Sequence, residues 1–166
     1  YAAPHIAGSI ALLLEKNPEF TPQEIKSILV TTSDVITDQY KEEFGFNEGG
    51  AGRIDLKKAF NSELIFEPPK LMFNLSEQKT SEEREIIIRG INNLVDIQKV
   101  EFSKIDNIEF EYRFENSSLF INSKLMDSEI GDFETRAFIT QNDILYQIPI
   151  VIRVSEASIV ILEKEN

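Results

Sequence analysis

The chain has no cysteine among its 166 residues, which excludes an internal disulfide, a thiolate zinc site and a cysteine nucleophile. Histidine is nearly as scarce, since His5 is the only one. Positive charge is in short supply: 17 Lys and Arg face 29 Asp and Glu, for a formal net charge of −12. Phosphate-rich surfaces need clustered cations to displace counterions, so neither nucleic acid nor an anionic membrane is an expected partner. Long apolar runs are missing too. The stretches 10–14 and 148–152 fall far below the roughly 20 residues of a membrane-spanning helix.

What the chain does contain changes character near Glu67-Pro68-Pro69. Before that point the apolar spacing is helical, and after it the spacing is that of strands. Three units are expected: 1–62, a segment too short to fold alone; 63–69, a linker; and 70–166, a β domain.

From Ala3 to Leu14 the residues are apolar almost all round, the pattern of a buried helix. Small residues at Ala2, Ala3, Ala7, Gly8 and Ala11 would let neighbours approach closely, and Pro4 is tolerated in the first turn, where backbone N–H groups lack intrahelical partners. Next, Asn17-Pro18 stops one helix, and Thr21-Pro22-Gln23-Glu24 starts another, with Thr21 as N-cap, Pro22 at the first position and Glu24 completing a capping box. Ile25, Ile28 and Leu29 form its apolar face, with Gln23, Lys26 and Ser27 expected outward. The glycines of Gly49-Gly50-Ala51-Gly52 predict a tight turn before a short helix capped by Asp55, with Ala59 and Phe60 laid against the domain. That turn has neither the Gly-Lys-Ser/Thr ending nor the G-x-G-x-x-G of a phosphate loop. The carboxylates Asp38, Glu42, Glu43, Glu48 and Asp55 follow no EF-hand spacing and read as solvated.

The string Tyr1-Ala2-Ala3-Pro4-His5-Ile6-Ala7-Gly8 resembles the subtilisin-like serine protease motif G-T-S-[M/Y]-A-[A/S]-P-H-[I/V]-A-G, taken up just after its serine. Residues 18–26 resemble the same family's P-x-[L/F]-T-P-x-x-[I/V]-[K/R] segment, and residues 50–59 its closing G-x-G-x-[V/I]-[D/N]-x-x-x-A segment. The resemblance implies the end of an α/β catalytic domain. The triad order in subtilisin is Asp, His, Ser, so all three members are expected upstream of Tyr1, with none in this chain. Tyr1, Ala2, Ala3, Pro4, His5 and Gly8 would then form the helix beneath the nucleophile, whose own N–H helps hold the oxyanion. His5 is the motif's structural histidine and is expected to be buried and hydrogen-bonded. The resemblance also implies a polypeptide substrate, an extracellular location, and a fragment that is inactive alone and exposes apolar surface meant for the missing part of the domain. No cofactor is expected in the chain, while structural calcium is a feature of the family that the parent could hold elsewhere.

Beyond Pro69, Ile108-Glu109-Phe110-Glu111-Tyr112-Arg113-Phe114 alternates apolar and charged residues, as does much of 144–154. Further strands are expected at 70–74, 85–89, 98–104, 118–122, 133–140 and 157–162, with turns at Gly90-Ile91-Asn92-Asn93, Glu115-Asn116-Ser117, Gly131-Asp132 and Gln141-Asn142-Asp143. Short strands at this spacing predict an antiparallel sandwich, and Pro149 an edge or bulge. The pattern resembles the fibronectin type III-like domain that follows some subtilisin-like catalytic domains. No chemistry is legible in it: Glu109 and Glu111 share the outward face of one strand, and Asn74-Leu75-Ser76 and Asn116-Ser117-Ser118 match only the short glycosylation sequon. The competing reading is a non-catalytic adhesion or scaffold protein, in which a degenerate protease domain carries a β interaction module.

Overall fold

The computed structural model describes residues 2–127 and 129–156. Four helices come first. Helix α1 (Ala2–Lys16) ends where Asn17 N–H closes the last turn on Leu13 O at 3.0 Å and Pro18 cannot continue it. Helix α2 (Pro22–Thr31) starts on the full capping box: Thr21 Oγ1 accepts from Glu24 N at 3.3 Å, and Glu24 Oε2 accepts from Thr21 N at 2.7 Å. The single turn α3 (Phe46–Gly49) and the short α4 (Leu56–Phe60) follow, the latter capped by Asp55, which accepts from Lys58 N at 2.9 Å.

Eight strands make the rest: β1 (Leu64–Glu67), β2 (Leu71–Ser76), β3 (Ser81–Gly90), β4 (Lys99–Phe102), β5 (Ile108–Glu115), β6 (Ser118–Leu125), β7 (Gly131–Gln141) and β8 (Ile144–Ser155). They form two sheets, β1-β3-β6-β5 and β2-β8-β7-β4. Taken in chain order, β1-β3-β6-β5 and β4-β7-β8 reproduce the ABED and CFG sheets of an immunoglobulin-like sandwich. Phe66, Phe73, Ile86, Ile121, Ile139, Tyr146 and Ile148 fill the space between the sheets, all fully buried. At this apolar density each such side chain contributes about 2 kcal/mol through burial. The β5–β6 and β7–β8 hairpins turn at Asn116-Ser117 and Asn142-Asp143, all four with positive φ, as two-residue turns matched to strand twist require.

Several expectations are corrected. The expected linker contains β1, because Leu64, Ile65 and Phe66 are buried on both faces of a strand. The expected β-sandwich is present, and one pair in it departs from antiparallel: β2 pairs parallel with β8, from Leu71↔Ile150 to Ser76↔Ser155, since the chain crosses from one sheet to the other at Pro68-Pro69. Strand β8 is an inner strand, yet Pro149 precedes the first residue paired with β2, so its missing N–H removes no bond from that ladder. Helix α1 is not buried all round, as only Ser9 and Leu13 are. Ser27 points inward, and Phe60 outward, at 1% and 41% exposure. The strand expected at 157–162 lies outside the described residues.

Candidate functional site

The motif-bearing half of α1 stands uncovered. Ala2, Ala3, Pro4, His5 and Gly8 are exposed, and a Cβ built on Gly8 would meet nothing within 4 Å. His5, expected to be buried, is exposed in this chain, and its carbonyl accepts from Ser9 Oγ at 2.8 Å. Tyr1 lies outside the described residues. The other half of α1 is anchored through Leu13, which packs with Ile25, Ile28 and Ala59, and through Lys16, which donates to Phe60 O and sits 4.7 Å over the Phe60 ring.

Between α1 and α2 runs an open apolar groove of about 440 Å³, lined by Ile6, Ile10, Leu14, Phe20, Ile25 and Leu29. Ile6 and Leu12 are each more than a third exposed on this helix. Such apolar continuity is the mark of a packing face.

A second constellation joins the helical segment to the sandwich, and it is polar. The glycine turn is built by close backbone approach: Gly52 has φ +134°, and a Cβ there would lie 2.1 Å from Asp34 O, while Asp34 and Arg53 exchange backbone bonds at 2.7 and 2.8 Å. This turn presents the Ala51 carbonyl to the outer face of β7 and β8. Gln147 Nε2 donates to Ala51 O at 2.7 Å and approaches Ser33 O and Oγ at 2.8 and 2.6 Å. Arg136 Nη1 donates to Ala51 O at 3.1 Å and to Gln147 Oε1 at 2.7 Å, and its Nε pairs with Glu43 at 3.1 Å. The guanidinium lies 4.6 Å over the Phe46 ring, and Glu134 Oε2 accepts from Phe46 N at 2.6 Å. Arg136 and Gln147 are both about 2% exposed, so every polar atom they carry must find a partner in the seam.

Ser27 makes the other joint. Its hydroxyl donates to Phe66 O at 2.8 Å and accepts from Phe66 N at 2.9 Å, so a helix side chain closes the free edge of β1. Glu24 of the capping box also pairs with Arg89 of β3. Lower down, Tyr146 Oη accepts from Glu63 N at 2.9 Å, and burial pushes its phenol above the ordinary value of 10.0. The hydrogen bond from Lys58 at 2.5 Å holds the Asp34 carboxyl below its ordinary 3.8, and the same bond raises Lys58 above 10.5.

Sequence reasoning missed Arg136, Gln147, Ser33 and Ala51. Polar residues alternating with apolar ones read as solvated, and only the run Tyr146-Gln147-Ile148-Pro149-Ile150, buried throughout, hinted at a strand covered on both faces. Among the described residues no three His, Cys, Asp or Glu are grouped to hold a metal ion, and no helix is long and apolar enough to cross a membrane.

Comparison with known proteins separates the two parts. Residues 1–54 match the Subtilase family model. The minor extracellular protease Vpr of Bacillus subtilis is 24% identical over 118 residues, which cover 71% of this chain and 14% of Vpr. The subtilisin-like protease SBT2.6 of Arabidopsis thaliana is 37% identical over 81 residues, covering 40% of this chain and 10% of that protein. The chain thus spans about one seventh or less of these relatives. Among solved structures, a chimeric titin Z1Z2 superposes with a TM-score of 0.41 at 10% identity, over 58% of this chain and 97% of the other.

Proposed function

We propose, from the match of residues 1–54 to the Subtilase family model, that the chain is the end of the catalytic domain and the following β-sandwich of a serine endopeptidase. In this reading the nucleophilic serine immediately precedes Tyr1 on the N-terminus of α1, and the base and its orienting aspartate come from further upstream. The serine attacks the scissile carbonyl while the histidine takes its proton, and the serine's backbone N–H at the helix start helps hold the oxyanion. The substrate is a polypeptide, and the location is extracellular, by likeness to relatives such as the extracellular Vpr.

The observation that carries this reading is the groove between α1 and α2, which lies within the family-matched segment and which no described element covers. It is the face on which the rest of the catalytic domain would pack. In the same reading, Arg136, Gln147 and Ser27 hold the sandwich to the end of the catalytic domain through α2 and the glycine turn.

A fluorophosphonate probe tests the reading. The full-length protein should be labelled on a serine directly before Tyr1, and the 166-residue chain should remain unlabelled. Labelling of this chain alone would refute it, as would a full-length protein that is well folded but refuses the probe; the latter outcome would favour a scaffold built on a degenerate protease domain.

A further inference from the structure

A sandwich of two open sheets has four edge strands, and these four are treated differently. Strand β1 is closed by Ser27, whose hydroxyl takes both backbone groups of Phe66. On β2, Asn74 N–H is capped by Glu82 at 2.6 Å. The β4 edge is only four residues long. Strand β5 is eight residues long and pairs with β6 alone, so among the described residues its other side has no backbone partner. A free edge of that length is a template for another strand, and proteins that do not use such an edge blunt it.

The side chains along β5 specify what would pair there. Phe110, Tyr112 and Phe114 project from one face. Phe110 stacks on Phe102 of β4 at 4.9 Å and 7°, and Tyr112 and Phe114 follow in an unbroken aromatic file. Toward Phe114 the file is open to solvent, with Tyr112 48% and Phe114 46% exposed. Glu109, Glu111, Arg113 and Glu115 project from the opposite face, and Arg113 is already engaged by Glu83 at 2.8 Å and Glu115 at 3.1 Å. Glu109 and Glu111 carry no ion pair among the described residues, and Lys124, the residue registered with Glu109, stands on the β6 side.

We propose that the free edge of β5 docks an extended segment of a partner polypeptide in which apolar residues alternate with Lys or Arg. The main chain supplies hydrogen bonds along the edge, the apolar residues cover the aromatic file, and the cations lie across from the carboxylates. A second copy of this chain is the poorer fit: it would set one strand with three glutamates and one arginine against another, within molecules of net charge −12. Strand β5 lies outside the family-matched segment, so docking there is independent of the protease reading.

The test is titration of the 166-residue chain with two synthetic peptides of the same Lys and Val composition, one alternating and one with the lysines in a block. The alternating peptide should bind about tenfold more tightly or better, a difference of about 1.4 kcal/mol, and should slow amide exchange in β5 while leaving β1 unchanged. The double variant E109K/E111K, altered only at exposed positions, should lose about tenfold in affinity with an unchanged melting temperature. Equal binding of the two peptides would overturn the proposal as mere attraction to an acidic protein. So would unchanged β5 exchange, or concentration-dependent self-association through β5 that the peptide does not displace.

Discussion

The sandwich and the helical segment are built from similar apolar residues, but only one of them finishes its core. Between the sheets, Phe66, Phe73, Ile121, Tyr146 and Ile148 are sealed on every side. Helix α1 is apolar over much of its length, yet it buries only Leu13 and Ser9, while Ile6, Ile10 and Leu14 line an open groove. The difference shows that composition sets a demand for burial, which neighbouring elements either meet or leave open. The boundary between the two parts is polar and specific: the side chains of Arg136, Gln147 and Ser27 each bond a backbone group across it, so α2 and the glycine turn belong energetically with the sandwich.

The largest expected effect contrasts the two regions directly. Phe66→Ala opens a cavity in a closed core and should cost about 3–5 kcal/mol in urea unfolding, whereas Leu12→Ala on the uncovered helix should change stability by less than about 0.5 kcal/mol. Equal losses would erase the distinction. At the seam, Arg136→Met keeps the volume but removes the donor to Ala51 O and Gln147. Discounted for the half-exposed Glu43, the loss should be about 2 kcal/mol, and limited proteolysis should cut within residues 34–53 before it cuts the sandwich.

A smaller effect is expected at the cap. Thr21→Ala should cost about 1 kcal/mol and, since Glu24 also reaches Arg89, should loosen α2 from β3 as well. The smallest effect is in the pH dependence of the Asp34–Lys58 pair. Asp34 is depressed, so its contribution is complete above its ordinary 3.8 and is lost as pH falls through the lower folded value. Lys58 is raised, so its contribution is complete below 10.5 and is lost as pH rises through the higher folded value. K58M should flatten both limbs of the unfolding midpoint against pH while leaving the rest of the profile intact. An unaltered profile would mean that solvent screens the pair entirely.

Local chemistry is legible in the sequence where one residue type does one job. Thr21, Pro22 and Glu24 announce a helix start, Asp55 another, and Asn116-Ser117 and Asn142-Asp143 their hairpins, because caps and two-residue turns depend on a few adjacent groups. Strand positions from β2 to β8 follow from period-two alternation. Residues whose roles are set by distant partners are not legible: Ser27 has the pattern of an outward residue of α2, and only the arrival of β1 at that helix turns it inward. Leu64–Glu67 reads as a linker because a four-residue strand buried on both faces has no period to detect. The motif in α1 is plain, but whether its apolar faces are covered depends on what packs over them.

Hydrogen exchange on the 166-residue chain tests most directly whether the sandwich is complete and the α1 face is not. Amides of β3, β6, β7 and β8 should exchange only through global unfolding, α2 should follow them closely through Ser27, and the first half of α1 should exchange orders of magnitude faster. Protection of α1 equal to that of β7 and β8 would contradict the account.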